Sequence, residues 1–151
     1  MLRQSMNDVP VQVAEDAVSQ LQSGILPADV AKTTVDVRNT IDQFVIVYDK
    51  SGKVIAGSGH LNGQIPTPPH GVFDNVGFWR YGHSWQPDQD VRIDAAIIPY
   101  SYQGTEGYVL GGQNMRVMEM HIEHIGALVF GAWILLLIAT FIAAGFARFF
   151  S

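Results

Sequence analysis

The sequence contains no cysteine, and this absence excludes several kinds of chemistry. Without thiols the chain cannot form disulfides, zinc–thiolate sites or iron–sulfur clusters, and it has no cysteine nucleophile. Basic residues are also scarce: eight Lys or Arg and fourteen Asp or Glu precede residue 125, a net charge of −6 without a basic cluster. Because a nucleic-acid site needs a positive patch to meet phosphates, we expect no nucleic-acid partner.

Charge is missing altogether from residues 125–147, which also lack Asn, Gln and Pro. A helix rises about 1.5 Å per residue, so this stretch would be roughly 35 Å long, enough to cross hydrocarbon with some tilt. We therefore predict a transmembrane helix over 125–147, a juxtamembrane helix over 115–124 and a tail over 148–151. The preceding residues are numerous enough to form one hydrophobic core.

The orientation of the anchor depends on sparse charges. Arg148 follows the predicted span and favours a cytoplasmic C terminus, which places the preceding domain outside the cytoplasm. The start, "MLRQSMNDVP", has no apolar region of a signal peptide. Two alternatives stay open: the domain remains cytoplasmic, as in a tail-anchored protein, or an upstream membrane segment precedes it in a longer chain.

Helical spacing dominates the first part of the chain, and we predict an N-terminal helical segment over residues 1–42. A cap at Asn7 or Asp8, Pro10 in the first turn and Gly24 as the C-terminal cap would delimit the first helix. A second helix is predicted from Pro27 to about Ile41. The first helix would bury one amphipathic stripe, formed by Val11, Ala14, Val18, Leu21 and Ile25.

The pattern then changes to that of strands, and residues 43–114 are predicted to form an antiparallel sheet. "FVIVYDKSGKVIAGSG" (44–59) is typical of a hairpin, and strands are predicted over 78–85, 91–101 and 108–114. Residues 61–77, "LNGQIPTPPHGVFDNVG", contain three prolines within four positions and predict a long loop, an element that often binds ligands. About five antiparallel strands with flanking helices make an α+β domain.

Three segments resemble parts of a known sensor family. "YDKSGKVIAGSG" resembles the opening hairpin of extracytoplasmic PAS-like domains of the Cache type. "LRQSMNDVPVQVAEDAVSQLQSG" and "GYVLGGQNMRVMEMHIEHI" resemble their entry and exit helices in bacterial membrane sensors. The resemblance implies a periplasmic domain whose exit helix continues into an anchor in the bacterial inner membrane. The chain departs from the family pattern, because such sensors usually have a membrane helix before the domain and a transmitter after the second helix.

The segment "FWRYGHSWQP" (78–87) combines four aromatic residues with Arg80 and His83, a composition typical of small-molecule pockets. Arg80 would pair with a carboxylate, and Tyr81 and Trp85 would enclose the ligand. In PAS-like domains the pocket lies between the sheet and the long loop, so the resemblance adds His70 and Arg92. The expected ligand is small and polar or anionic. The alternative is that the aromatic residues of this segment are simply core residues.

No catalytic motif is present, so we predict that the protein is not an enzyme and uses no cofactor. His121 and His124 stand three positions apart beside Glu119 and Glu123, a spacing that could hold a divalent ion on one helix face. The alternative is a polar turn that meets headgroups and water, and we predict no metal site.

Small residues recur every four positions in the predicted span, at Ala127 and Gly131 and again at Ala139, Ala143 and Ala147. Such spacing lets helices approach closely in lipid, which predicts a homodimer or a membrane-protein partner, although Ala and Gly are also common in membrane helices.

Two functions remain open. The domain is either a sensory or ligand-binding module that passes its state through the transmembrane helix, or a non-catalytic accessory subunit of a larger membrane complex. A central cavity filled by the domain's own Phe and Trp side chains would favour the subunit. An open, polar-lined cavity would favour the sensor.

Overall fold

A computed structural model describes residues 2–115 and 128–140. The chain divides into two compact units, residues 1–117 and 118–151. In the second unit, residues 128–140 are helical. The elements of the first unit are α1 (Leu2–Gln22), α2 (Pro27–Val30), β1 (Val35–Asp36), β2 (Phe44–Asp49), β3 (Val54–Gly57), β4 (Gly59–His60), a 3₁₀ turn (Phe73–Asn75), α3 (Val76–Trp79), β5 (His83–Asp88), β6 (Val91–Tyr102) and β7 (Thr105–Asn114).

A five-stranded antiparallel sheet with the order β3-β2-β7-β6-β5 forms the centre of this unit. The prediction of an α+β domain with about five antiparallel strands is therefore confirmed. The predicted hairpin is β2–β3, and Gly52 adopts a φ of +81° in its turn, a conformation that glycine adopts without strain. Asp49 fixes that turn, since its Oδ1 accepts from the backbone N–H groups of Ser51 at 2.8 Å and Lys53 at 3.0 Å.

The predicted short strand over 78–85 is shifted. Its first residues form α3, and the strand β5 begins only at His83. The long loop predicted over 61–77 is largely irregular as expected, but its last residues form the 3₁₀ turn and the start of α3.

The N-terminal helical segment differs from the prediction at both ends. Helix α1 begins at Leu2, so Pro10 lies inside it instead of in its first turn. The predicted second helix was wrong beyond Val30, because the chain then extends into β1. Threonine and valine dominate positions 33–37, and β-branched residues favour extended backbone. The local sequence therefore opposed the helix that the apolar spacing suggested.

The two faces of the sheet are covered by different elements. On one face α1 buries Ala14, Val18 and Leu21 of its predicted stripe, together with Ala17, against residues of β2, β6 and β7. Ile25 lies beyond the end of α1 and is exposed. The opposite face is covered by the segment around β1, the long loop and α3. Its core contains Phe44, Ile46, Tyr48, Leu61, Val72, Trp79, Ile93, Ile97 and Leu110.

Two adjacent glycines on the central strand β7 let α1 pack closely on one face of the sheet and an aromatic ring of the neighbouring strand β2 pack closely on the other. A Cβ at Gly111 would lie 2.4 Å from the carbonyl oxygen of Pro10 in α1. A Cβ at Gly112 would lie 2.5 Å from the ring of Phe44, and a Cβ at Gly59 would lie 2.4 Å from the same ring. Neither contact leaves room for a methyl group, so helix and ring pack directly on the β7 backbone.

Within residues 2–115 and 128–140, no helix is both long and apolar enough to cross a membrane. The predicted span over 125–147 extends past the described residues on both sides. Gly131 and Ala139 fall within the helical stretch 128–140. The other predicted packing and metal residues, Ala127, Ala143, Ala147, His121 and His124, lie outside the described residues.

We predict that Gly111→Ala lowers the free energy of unfolding by about 1–3 kcal/mol, because the added methyl group meets helix backbone instead of a flexible side chain. Urea unfolding of the detergent-solubilised chain measures the change. Gly77→Ala is the matched control, since a Cβ there meets no atom within 4 Å, and it should be neutral or slightly stabilising. Equal effects of the two substitutions would contradict the packing described for α1.

Candidate functional site

The aromatic residues of the 78–87 segment pack on one another at the rim of the sheet. The Phe78 ring stacks on the His83 ring with centroids 3.6 Å apart and an interplanar angle of 10°. Trp79 is buried in the core and meets Trp85 edge-on, with centroids 6.1 Å apart. His83 and Trp85, two of the predicted binding residues, therefore belong to an aromatic cluster that closes this end of the domain.

The other predicted binding residues do not converge with that cluster. Arg80 and Tyr81 are exposed, and the Tyr81 side chain is 72% accessible. Arg92 is exposed and donates to Ser84 Oγ at 3.3 Å. His70 lies on the long loop, where it lines a cavity to which none of the other five contributes. The structure thus separates the six predicted residues into a packed pair, three surface residues and one cavity residue.

The cavity that contains His70 lies between the β2–β3 hairpin and the proline-rich loop. Its volume is about 190 Å³. The hairpin supplies its floor and one wall, and loop residues 67–71 supply the other wall. The lining residues are Tyr48, Gly52, Val54, Thr67, Pro68, Pro69, His70, Gly71 and Phe73.

Buried anchors on both sides hold this loop in place. Pro66 and Val72 flank residues 67–71, and both are buried. The Phe73 ring meets the Tyr48 ring edge-on with centroids 4.9 Å apart. Gly52 packs against the same Phe73 ring, where a Cβ would come within 2.6 Å of a ring carbon. The cavity is therefore preformed by packing on both walls.

The hydroxyl group of Tyr48 is the unusual feature of this cavity. Tyr48 is 1% exposed, and its hydroxyl has no hydrogen-bond partner among the residues that the structure describes. A buried hydroxyl without a partner costs about 1–3 kcal/mol. Burial also raises the pKa of the Tyr48 phenol well above its usual value, so the group stays neutral and keeps its proton. It is thus a donor that has no acceptor among the described residues.

Among the residues that the structure describes, no Asp, Glu, Lys or Arg lines this cavity. Its polar lining residues are Tyr48, Thr67 and His70, and its apolar ones include Pro68, Pro69 and Phe73. Sequence reasoning identified the loop and His70 but missed Tyr48, Thr67 and Phe73. One signal was present in the sequence: Tyr48 is a polar aromatic residue within the apolar run of β2, beside a turn.

Two other cavities are larger. One, of about 450 Å³, lies beside the exposed ion pair between Lys50 and Glu106. The other, of about 350 Å³, includes Arg38, whose guanidinium pairs with Asp88. In both, the charged groups already have partners within the domain. Within the described part of the chain, no group of three or more His, Asp or Glu residues is placed to hold a metal ion.

Comparison with known proteins adds no assignment, because no protein-family model, curated protein or solved structure matches the chain. The resemblance to PAS-like domains of the Cache type therefore stays a prediction.

A buried carboxyl group lies outside the cavity. Asp94 on β6 is 4% exposed and alternates with Ile93 and Ala95 of the opposite face, which places it on the α1 side. Burial raises the pKa of Asp94, although the positive charges of His83 and Arg92 act in the other direction. An acid whose folded-state pKa is raised stabilises the fold at low pH and loses that contribution as pH rises through the folded-state pKa.

We predict that Asp94→Asn raises the melting temperature at about pH 7 and that the gain shrinks toward about pH 3, where the parental carboxyl is protonated in both folded and unfolded chains. Differential scanning calorimetry across this range checks the slope. The exposed Asp74→Asn variant carries the same charge change and serves as the control. A gain that does not depend on pH would contradict a raised pKa for the buried Asp94 carboxyl.

Proposed function

We propose that the protein is a membrane-anchored, extracytoplasmic sensory domain that binds a small uncharged molecule in the cavity between the β2–β3 hairpin and the proline-rich loop. The observation that carries the proposal is that Tyr48 lines this cavity and that its buried hydroxyl has no hydrogen-bond partner in the described part of the chain. A ligand oxygen or nitrogen that accepts from Tyr48 Oη removes the cost of that unpaired donor.

The lining residues define the chemistry of the ligand. The described lining residues include no Asp, Glu, Lys or Arg that could pair with an ion, and this favours a neutral molecule. A volume of about 190 Å³ corresponds to roughly six water volumes, so the ligand is smaller than a drug-sized molecule. Small amides, ketones, lactones and alcohols meet both conditions, with an acceptor toward Tyr48 and an apolar part toward Pro68, Pro69 and Phe73.

The decisive variant is Tyr48→Phe, which removes only the hydroxyl. Because that hydroxyl has no partner among the described residues, the variant should fold at least as stably as the parent. We expect compounds of these classes to raise the melting temperature of the parent and to shift Tyr48→Phe far less. A thermal-shift screen followed by calorimetric titration measures both effects.

Two control variants separate this site from the aromatic segment. Tyr81→Phe makes the same chemical change at an exposed side chain, and Arg80→Ala removes the cation first predicted to bind the ligand. Both should keep the full ligand shift. Loss of the shift in Arg80→Ala with retention in Tyr48→Phe would return the site to the 78–87 segment.

A second function, the accessory subunit, is favoured by a different observation. Phe44, Trp79 and Trp85 pack into the sheet face that faces the loop and α3, so the domain's own aromatic side chains fill much of that face. If no compound shifts the melting temperature of the parent, and a membrane protein co-purifies with it in mild detergent, the subunit is the better account.

The location outside the cytoplasm has its own test. Ser51, in the hairpin turn, is exposed, and the chain has no cysteine of its own. Ser51→Cys therefore introduces a single accessible thiol, and we expect a membrane-impermeant maleimide to label it in intact cells. Labelling that occurs only after lysis would place the domain in the cytoplasm.

A further inference from the structure

A short segment connects the cavity loop to β7, which is the last strand along the chain and the central strand of the sheet. Residues 35–41, which we call the strap, contain β1 and pair with the chain around β4. The backbone N–H of Val35 donates to Ser58 O at 2.8 Å, and that of Val37 donates to His60 O at 2.9 Å. His60 leads directly into the loop whose residues 67–71 line the cavity. One end of that loop is thus hydrogen-bonded to the strap.

The other side of the strap is fastened to the end of β7 by two side chains. Asn114 Nδ2 donates to Val37 O at 2.6 Å and lies 3.5 Å from Arg38 O. Gln113 Nε2 donates to Ile41 O at 2.8 Å. Asn114 is 1% exposed, and since carbonyl groups only accept hydrogen bonds, its amide nitrogen must face the strap.

Asn114 also lies close in sequence to the predicted membrane span. It is the last residue of β7, and ten residues separate it from the predicted membrane span that begins at residue 125. Separating a buried amide from its carbonyl partners costs about 1–3 kcal/mol for each group left unpaired. The strap and the end of β7 therefore move together more easily than they separate.

We propose that Asn114 is a positioning residue that couples the cavity loop to the segment leaving the domain. A displacement of the loop shifts β4, the paired strap follows, and the strap carbonyls reposition the Asn114 amide and the chain that continues from it. This inference deepens the proposed function, because it names the route from the ligand site toward the anchor. It depends on hydrogen bonds within the domain, so it can be tested without a ligand.

The test perturbs the cavity wall and reads the response beyond Asn114. Gly52→Ala is the perturbation, because its Cβ meets the Phe73 ring at 2.6 Å and its φ of +81° is strained for alanine. Met118→Cys supplies the only thiol of the full chain, and a nitroxide there is read by electron paramagnetic resonance in nanodiscs. We expect Gly52→Ala to change the ratio of mobile to immobile nitroxide by at least about twofold. A twofold change corresponds to the lower end of the coupling energies typical of such networks.

The same perturbation is then repeated in an Asn114→Leu background, which keeps the side-chain size but removes the donor. The response should disappear there and persist in Asn75→Leu, a control at an exposed asparagine. A response of equal size with and without Asn114, or no response in either background, overturns the proposal. Cooperative unfolding shows that each variant is folded. If Gly52→Ala fails this check, Phe73→Leu replaces it as the perturbation. If Asn114→Leu fails it, Asn114→Ala replaces it, and the same outcomes are expected.

Discussion

Close packing of a helix and an aromatic ring on the backbone of strand β7 is the constraint on which the rest of this domain depends. Gly111 faces α1 and Gly112 faces Phe44, so neighbouring residues of the central strand admit a helix on one side and an aromatic ring on the other. Because no side chain stands between them, the distance from helix to sheet is set by backbone contact. Buried apolar side chains close both faces of the sheet.

That closure explains where a ligand site can lie. The face opposite α1 is filled by Phe44, Trp79 and other apolar residues, so space remains toward the hairpin turn, where glycine and proline replace larger side chains. Tyr48 lines this space, and burial raises the pKa of its phenol, so the side chain is neutral. The proposed ligand is therefore small and neutral, whereas Arg80 and Arg92 suggested a polar or anionic one.

Several features were predictable because short-range chemistry decides them. The alternation in "VRIDAAIIPY", the Asp-Lys-Ser-Gly turn and the stripe around Ala14 and Val18 are local patterns, and each corresponds to an element of the structure. The helix expected over 27–41 failed because its apolar spacing competed with β-branched residues whose N–H groups find partners near β4. Those hydrogen-bond partners near β4 lie more than twenty residues away in sequence, so no local pattern could reveal them.

The candidate site was harder to predict for a similar reason. The 78–87 segment has the composition of a pocket, but aromatic residues also serve as core, and contacts such as Phe78 on His83 decide between the two roles only in three dimensions. In the sequence Tyr48 resembles any other strand residue, and its proximity to the loop is visible only in the structure. His70 was selected through the long loop, and it is the one predicted binding residue that lines the cavity with Tyr48.

The most direct measurement is a high-resolution crystal structure of the natively purified protein, read at one place, the space beside Tyr48 Oη. The account predicts density for a small neutral molecule larger than water, with an acceptor atom at about 2.7–2.8 Å from the hydroxyl. A cavity that holds only one water on Tyr48 Oη, or that closes so that the hydroxyl finds a partner within the chain, would contradict it.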